Sequence, residues 1–113
     1  MGLQQSHTVP IERNRRWLGD FETEPYEAAW SREALFFVRA LNVEGQVQDM
    51  EARVQISPDG IHWCDEGSVV PLPSKVDETT FVRVRHYGGW LRLVGQMAEG
   101  RSVTVIVHLV LKE

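Results

Sequence analysis

Residues 50–63, MEARVQISPDGIHW, constrain this chain more than any other stretch. Met50, Ala52, Val54 and Ile56 alternate with Glu51, Arg53, Gln55 and Ser57, the period of two expected of a strand with one buried face. Pro58 presets φ for the first corner of a turn, Asp59 suits the second, and Gly60 supplies a left-handed residue to close it. A type I turn with a glycine bulge is a common three-residue hairpin connection. The chain is therefore expected to return through Ile61, His62, Trp63 and Cys64 as the second arm of a β-hairpin.

The flanking sequence extends this pattern. Residues 1–8 read as a flexible N-terminus and 9–113 as a single domain. Ile11 and Trp17 can anchor an edge strand whose Arg13, Arg15 and Arg16 stay in water, which discourages pairing with foreign strands. Asp20, Glu22 and Glu24 form an acidic cluster that ends at Pro25. Residues 31–43, SREALFFVRALNV, admit a helix capped by Ser31. They also alternate, with Leu35, Phe37, Leu41 and Val43 on one side and Ala34, Phe36, Val38 and Ala40 on the other. The short run and the turn at Gly45 favour a strand covered on both faces. Residues 67–72 read as an edge strand closed by Pro71 and Pro73. Strands follow over 79–87, 90–97 and 102–111, the first two joined at Gly88-Gly89 as a tight hairpin. About eight short strands and little or no helix predict an all-β fold, an antiparallel, jelly-roll-like β-sandwich.

The expected hairpin at Gly88-Gly89 sets Tyr87 opposite Trp90 and Arg85 opposite Arg92. One face then collects Val82, Val84, His86, Leu91 and Leu93 as core. The other collects Phe81, Arg83, Arg85, Tyr87, Trp90 and Arg92, the candidate ligand- or interface-binding residues. Two arginines facing each other across a ladder repel, so carboxylates, aromatic stacking or an external anion or glycan must compensate. A salt-bridged solvent face, a subunit contact and a glycan or anion site all fit this set. In the last strand Val103, Val105, Val107, Leu109 and Leu111 form one row, and Ile106 and Val110 keep the other row largely apolar too. A small sandwich has few ways to cover both faces of such strands, which predicts a homo-oligomer.

The 113 residues suffice to bury roughly two-thirds of the unfolded surface. A net charge of -4 disfavours nucleic acid as the main partner, and no run approaches the roughly 20 apolar residues of a membrane span. The N-terminal residues lack the apolar core of a secretory signal. The expected location is the cytoplasm or a particle. The lone Cys64 cannot form an internal disulfide, and with His62 it lacks the third orienting group of a nucleophilic site. His7, His62, His86 and His108 show no zinc spacing, so no metal or cofactor is expected. No catalytic constellation is identifiable, and the chain is not expected to be an enzyme.

The segment from Ser57 to Trp63 has the form S-x-D-G-x-x-W and resembles the hairpin of discoidin-like domains. There it is followed by a strand that Phe81-Val82-Arg83-Val84 matches in place. Similar hairpins occur in structural sandwich proteins of phage particles. The resemblance covers residues 50–94 and implies a sandwich with a binding or structural role. The chain is shorter than discoidin-like domains and lacks their disulfide, so no ligand residue carries over. The functional expectation is a self-associating structural or interaction component, with a carbohydrate-binding module as the alternative and a small hydrolase as a distant third.

Overall fold

The computed structural model describes residues 6–113, and every regular element within them is a strand. In chain order these are β1 (Ser6–Trp17), β2 (Asp20–Glu22), β3 (Tyr26–Glu27), β4 (Glu33–Glu44), β5 (Glu51–Ser57), β6 (Cys64–Pro71), β7 (Thr79–Arg85), β8 (Trp90–Gln96) and β9 (Ser102–Lys112). One sheet has the order β1-β9-β4-β7. The other runs β2-β8-β5-β6, and β3 adds a short pairing to β8. All pairings are antiparallel. Without the two-residue β3, these eight strands in two interleaved sheets form a jelly roll.

The expected apolar rows meet between the layers. Val103, Val105, Val107, Leu109 and Leu111 of β9 are fully buried, as are Phe36, Val38 and Ala40 of β4. They face Ala52 and Val54 of β5 and Leu91 and Leu93 of β8. Burying one such Val, Leu or Phe side chain is worth about 1.5–3 kcal/mol. This shared interior holds the sheets together. Trp17 closes one end, only 1% exposed, with its ring stacked on Phe21 at 4.2 Å between centroids. As expected, β1 and β6 are edge strands, and Arg13, Arg15 and Arg16 of β1 are exposed.

Four expectations need correction. Ser6, His7 and Thr8 are not a loose end but pair with Lys112, Leu111 and Val110; the rest of the expected flexible segment lies outside the described residues. The connection in the 50–63 hairpin spans residues 58–63, longer than a three-residue turn, and Cys64 is the first paired residue of the return arm. A bulge between Ala40 and Asn42 shifts the facing of β4, so Val43 packs against the core and does not continue the row of Leu35 and Phe37.

The fourth correction is the largest. β7 and β8 do not pair with each other: β7 joins β4 in one sheet and β8 joins β5 in the other. Residues 86–89 are a corner between the layers. His86 (φ 57°) and Gly88 (φ 59°) are left-handed and turn the chain. Gly89 is needed for a different reason, because a Cβ there would fall 2.3 Å from the Ser57 carbonyl oxygen. His86, expected in the core, is exposed on this corner.

Candidate functional site

The corner at residues 86–89 divides the six candidate residues. Phe81, Arg83 and Arg85 alternate with buried Val82 and Val84 and lie on the outer face of the four-stranded sheet. Trp90 and Arg92 alternate with buried Leu91 and lie on the outer face of the other sheet. Tyr87 is between the layers, 6% exposed. Its hydroxyl pairs with Ser31 Oγ, which in turn donates to the Ala28 carbonyl at 2.9 Å. Burial pushes the Tyr87 phenol above its ordinary pKa. Arg85 faces Glu33 across the ladder, with 3.5 Å between Nη2 and Oε1, so the Arg85–Arg92 repulsion does not arise.

On the outer face of the four-stranded sheet, the ladder aligns Val110, Leu35 and Arg83 in one row and His108, Phe37 and Phe81 in a second, with the β4 residue in the middle of each. Ile106 lies beside Arg39 in the next row. Thr8 and Pro10 of β1 extend the first two rows. Leu35, Phe37, Ile106, His108 and Val110 are half-buried, and Phe81 is 51% exposed. The rings of Phe37 and Phe81 are 6.1 Å apart, and the Arg83 guanidinium lies 5.5 Å from the Phe81 centroid. Charges rim the surface in both signs: Arg39 lies 3.9 Å from Asp77, and Arg85 pairs with Glu33. Sequence alternation indicated the apolar outer rows of β4 and β9. It could not indicate that Phe81 joins them.

The outer face of the other sheet is polar. A cleft of about 580 Å³ is bounded by the end of β1 and by β2, β8 and β5. Arg92, 18% exposed as a side chain, donates from Nε to Gln55 Oε1 and from Nη1 to Glu22 Oε2, both at 2.9 Å. The Trp63 ring lies 4.2 Å from its guanidinium carbon and covers one side of that plane. Arg53 donates to Gln96 Oε1 at 3.0 Å and lies 3.7 Å from Asp65. Of this group, the sequence reading singled out only Arg92 as a site residue. The others come from four separate segments, and no local spacing links them.

The loop at residues 58–63 is ordered by two side chains. Ser57 Oγ accepts the N–H groups of Asp59 and Gly60 at 3.2 and 2.8 Å. Asp59 Oδ1 accepts those of Ile61 and His62 at 2.9 and 2.8 Å, and its Oδ2 lies 2.7 Å from His62 Nδ1. Gly60 is left-handed (φ 78°), and a Cβ there would sit 3.1 Å from the Trp90 ring. His62 is thus committed to Asp59, while Cys64 is exposed. The backbone N–H of His62, then its ring, then the N–H of Ile61 hold the Asp59 carboxyl far below its ordinary 3.8. A folded value below the unfolded one means the stabilisation is complete above pH 3.8 and is lost as pH falls further. The protection of the Ile61 and His62 amides, measured against their intrinsic exchange rates at each pH, should therefore hold from neutral pH to about 4 and decline below it. In Asp59→Asn, whose Oδ1 can still accept these N–H groups but does not titrate, the protection should be lower and independent of pH over this range; an acid transition retained in that variant would assign it to another group.

No group of three or more His, Cys, Asp or Glu side chains placed to hold a metal ion is present among the described residues. No helix among them is long and apolar enough to cross a membrane. No family model and no curated protein matches the chain. Among solved structures, the chain is similar to the SPBc2 prophage-derived protein YomS, with 7% identity and a TM-score of 0.65 over 100% of this chain and 97% of that one. It is also similar to CpGH89CBM32-5 from Clostridium perfringens, solved in complex with GalNAc-β-1,3-galactose, with 11% identity and a TM-score of 0.38 over 92% and 94%. PirA gives 14% identity and a TM-score of 0.37 over 96% and 93%. The first of these likenesses establishes a shared β-sandwich fold; the other two carry no weight beyond it.

Proposed function

We propose that this chain is a non-catalytic β-sandwich that self-associates through the outer face of its four-stranded sheet and serves as a structural component of a larger assembly. The observation that carries this reading is the run of Leu35, Phe37, Phe81, Ile106 and Val110 across neighbouring strands of one solvent-facing surface. A sheet face open only to water normally alternates to polar residues, and contiguous apolar patches mark contact sites. The sheet's strands of 12, 11, 12 and 7 residues, about 4.8 Å apart, present about 670 Å². A standard interface takes about 800 Å² from each partner. The occupant that fits is a second copy of this chain, because a two-fold pairing sets the same patch against itself and the rim carries both signs of charge. YomS is prophage-derived, which is in keeping with a particle component.

Light scattering after gel filtration should give at least a dimer at tens of micromolar. Phe37→Lys, at the centre of the patch, should weaken association at least about tenfold, as expected for an aromatic anchor. The same change should alter the unfolding free energy of the monomer by under about 1 kcal/mol. A wild-type protein that is monomeric at these concentrations would remove the basis for the proposal. A carbohydrate-binding face made of all six candidate residues has no common surface to occupy; a saccharide would have to use the cleft on the opposite sheet.

A further inference from the structure

That cleft is rich in arginine. Arg15, Arg16, Arg53 and Arg92 line it together with Asp20 and Glu22; Arg15, Arg16 and Arg53 are matched by Glu12, Glu44 and Asp65, which leaves Arg92, whose carboxylate partner is the exposed Glu22, as the cation open to a ligand. The cleft's volume of about 580 Å³ lies in the range of small-ligand sites. We propose that this cleft binds a saccharide carrying a single carboxylate, with the Arg92 guanidinium as the anchor for that group.

Three features select this class. First, Arg92 is held ready before a ligand arrives. Gln55 fixes its Nε, Trp63 covers one side of its plane, and its side chain is largely shielded from water. A guanidinium in a fixed orientation pairs with a carboxylate through two parallel bonds. Second, Glu22 already occupies part of that position. Its Oε2 accepts from Arg92 Nη1 at 2.9 Å, while its own side chain is 66% exposed. The carboxylate end of this pair is largely in water, so Glu22 serves as a displaceable stand-in for the ligand's carboxylate. Third, the remaining lining mixes donors and acceptors. Gln55 and Gln96 offer amides, and Asp20 and Glu22 offer oxygens that suit sugar hydroxyls. Those same two carboxylates oppose a dianion such as phosphate or a nucleic-acid backbone. The lining is too polar for an apolar guest.

The site lies on the sheet opposite the self-association face, so each can fail without the other. The test is titration of the full chain with glucuronate, glucose and acetate, followed by isothermal calorimetry and by tryptophan fluorescence, with Trp63→Phe identifying the signal of the ring against Arg92. Glucuronate should bind saturably with a millimolar Kd, and acetate and glucose each at least about tenfold more weakly, reflecting loss of the ring contacts or of the charge-assisted bonds. Arg92→Gln should weaken glucuronate binding at least about tenfold. Glu22→Gln alters an exposed side chain and should fold normally; it should tighten binding about threefold by removing the competing charge. Equal binding of glucose and glucuronate would overturn the anionic assignment, and equal binding of acetate would overturn the saccharide. If Glu22→Gln leaves the affinity unchanged or weakens it, the displacement reading is wrong.

Discussion

Gly89→Ala is expected to destabilise the fold by about 3 kcal/mol or more, the upper part of the range for an overpacked interior. The added Cβ would lie 2.3 Å from the Ser57 carbonyl oxygen and 3.3 Å from its carbon. Neither atom is the tip of a movable side chain, and Ser57 is held by its pairing with Trp90 in the β5–β8 ladder. Gly89 is held as well, since its carbonyl accepts the Ala28 N–H at 2.9 Å. Relief requires one of these backbone contacts to break. The neighbouring Gly88→Ala provides the control. Its Cβ would meet nothing within 4 Å, so only the left-handed backbone (φ 59°) resists it, at about 1–2 kcal/mol. Urea unfolding of the two variants should rank Gly89→Ala clearly below Gly88→Ala. The reverse ranking would mean that the corner is an ordinary tight turn after all.

The second large effect is at Phe36, which is fully buried in β4 between the layers. Phe36→Ala should cost about 3–5 kcal/mol through lost transfer energy and the cavity left behind. Against a total of about 5–15 kcal/mol for a domain, that leaves a marginal protein. The adjacent Phe37 faces the opposite way, so truncating it should barely affect the monomer while loosening association. Thermal melts at low protein concentration, paired with light scattering at high concentration, separate the two roles. If Phe37→Ala costs as much as Phe36→Ala in the dilute melt, the outer face is holding the monomer together and the inside–outside division of β4 is mistaken.

The two rows of β4 and β9 were legible in the primary structure, but which row turns inward was not, because both are largely apolar. Strict alternation in residues 34–40 and 103–111 sorts side chains into rows, because a strand points successive residues to opposite faces whatever lies next to it. The same rule gave the first arm of the 50–63 hairpin and the buried Val82, Val84, Leu91 and Leu93. It failed at residues 86–89 for a specific reason. Each arm keeps its own alternation whether the chain folds back beside itself or crosses to the other layer. Gly-Gly permits both. The candidate set of Phe81, Arg83, Arg85, Tyr87, Trp90 and Arg92 inherited that ambiguity and was split by it.

Residue order alone determined the strand content, the sorting of side chains into rows and the excess of apolar surface on β4 and β9, since these depend only on period and side-chain chemistry. Which strands became neighbours was decided by the folded chain. The Ser57 carbonyl against Gly89, the Tyr87–Ser31 pairing and the left-handed His86 are contacts or angles that exist only once the layers have closed. The polar cleft has the same origin. Glu22, Arg53 and Arg92 are far apart in sequence, and only strand order brings their charges within reach of one ligand.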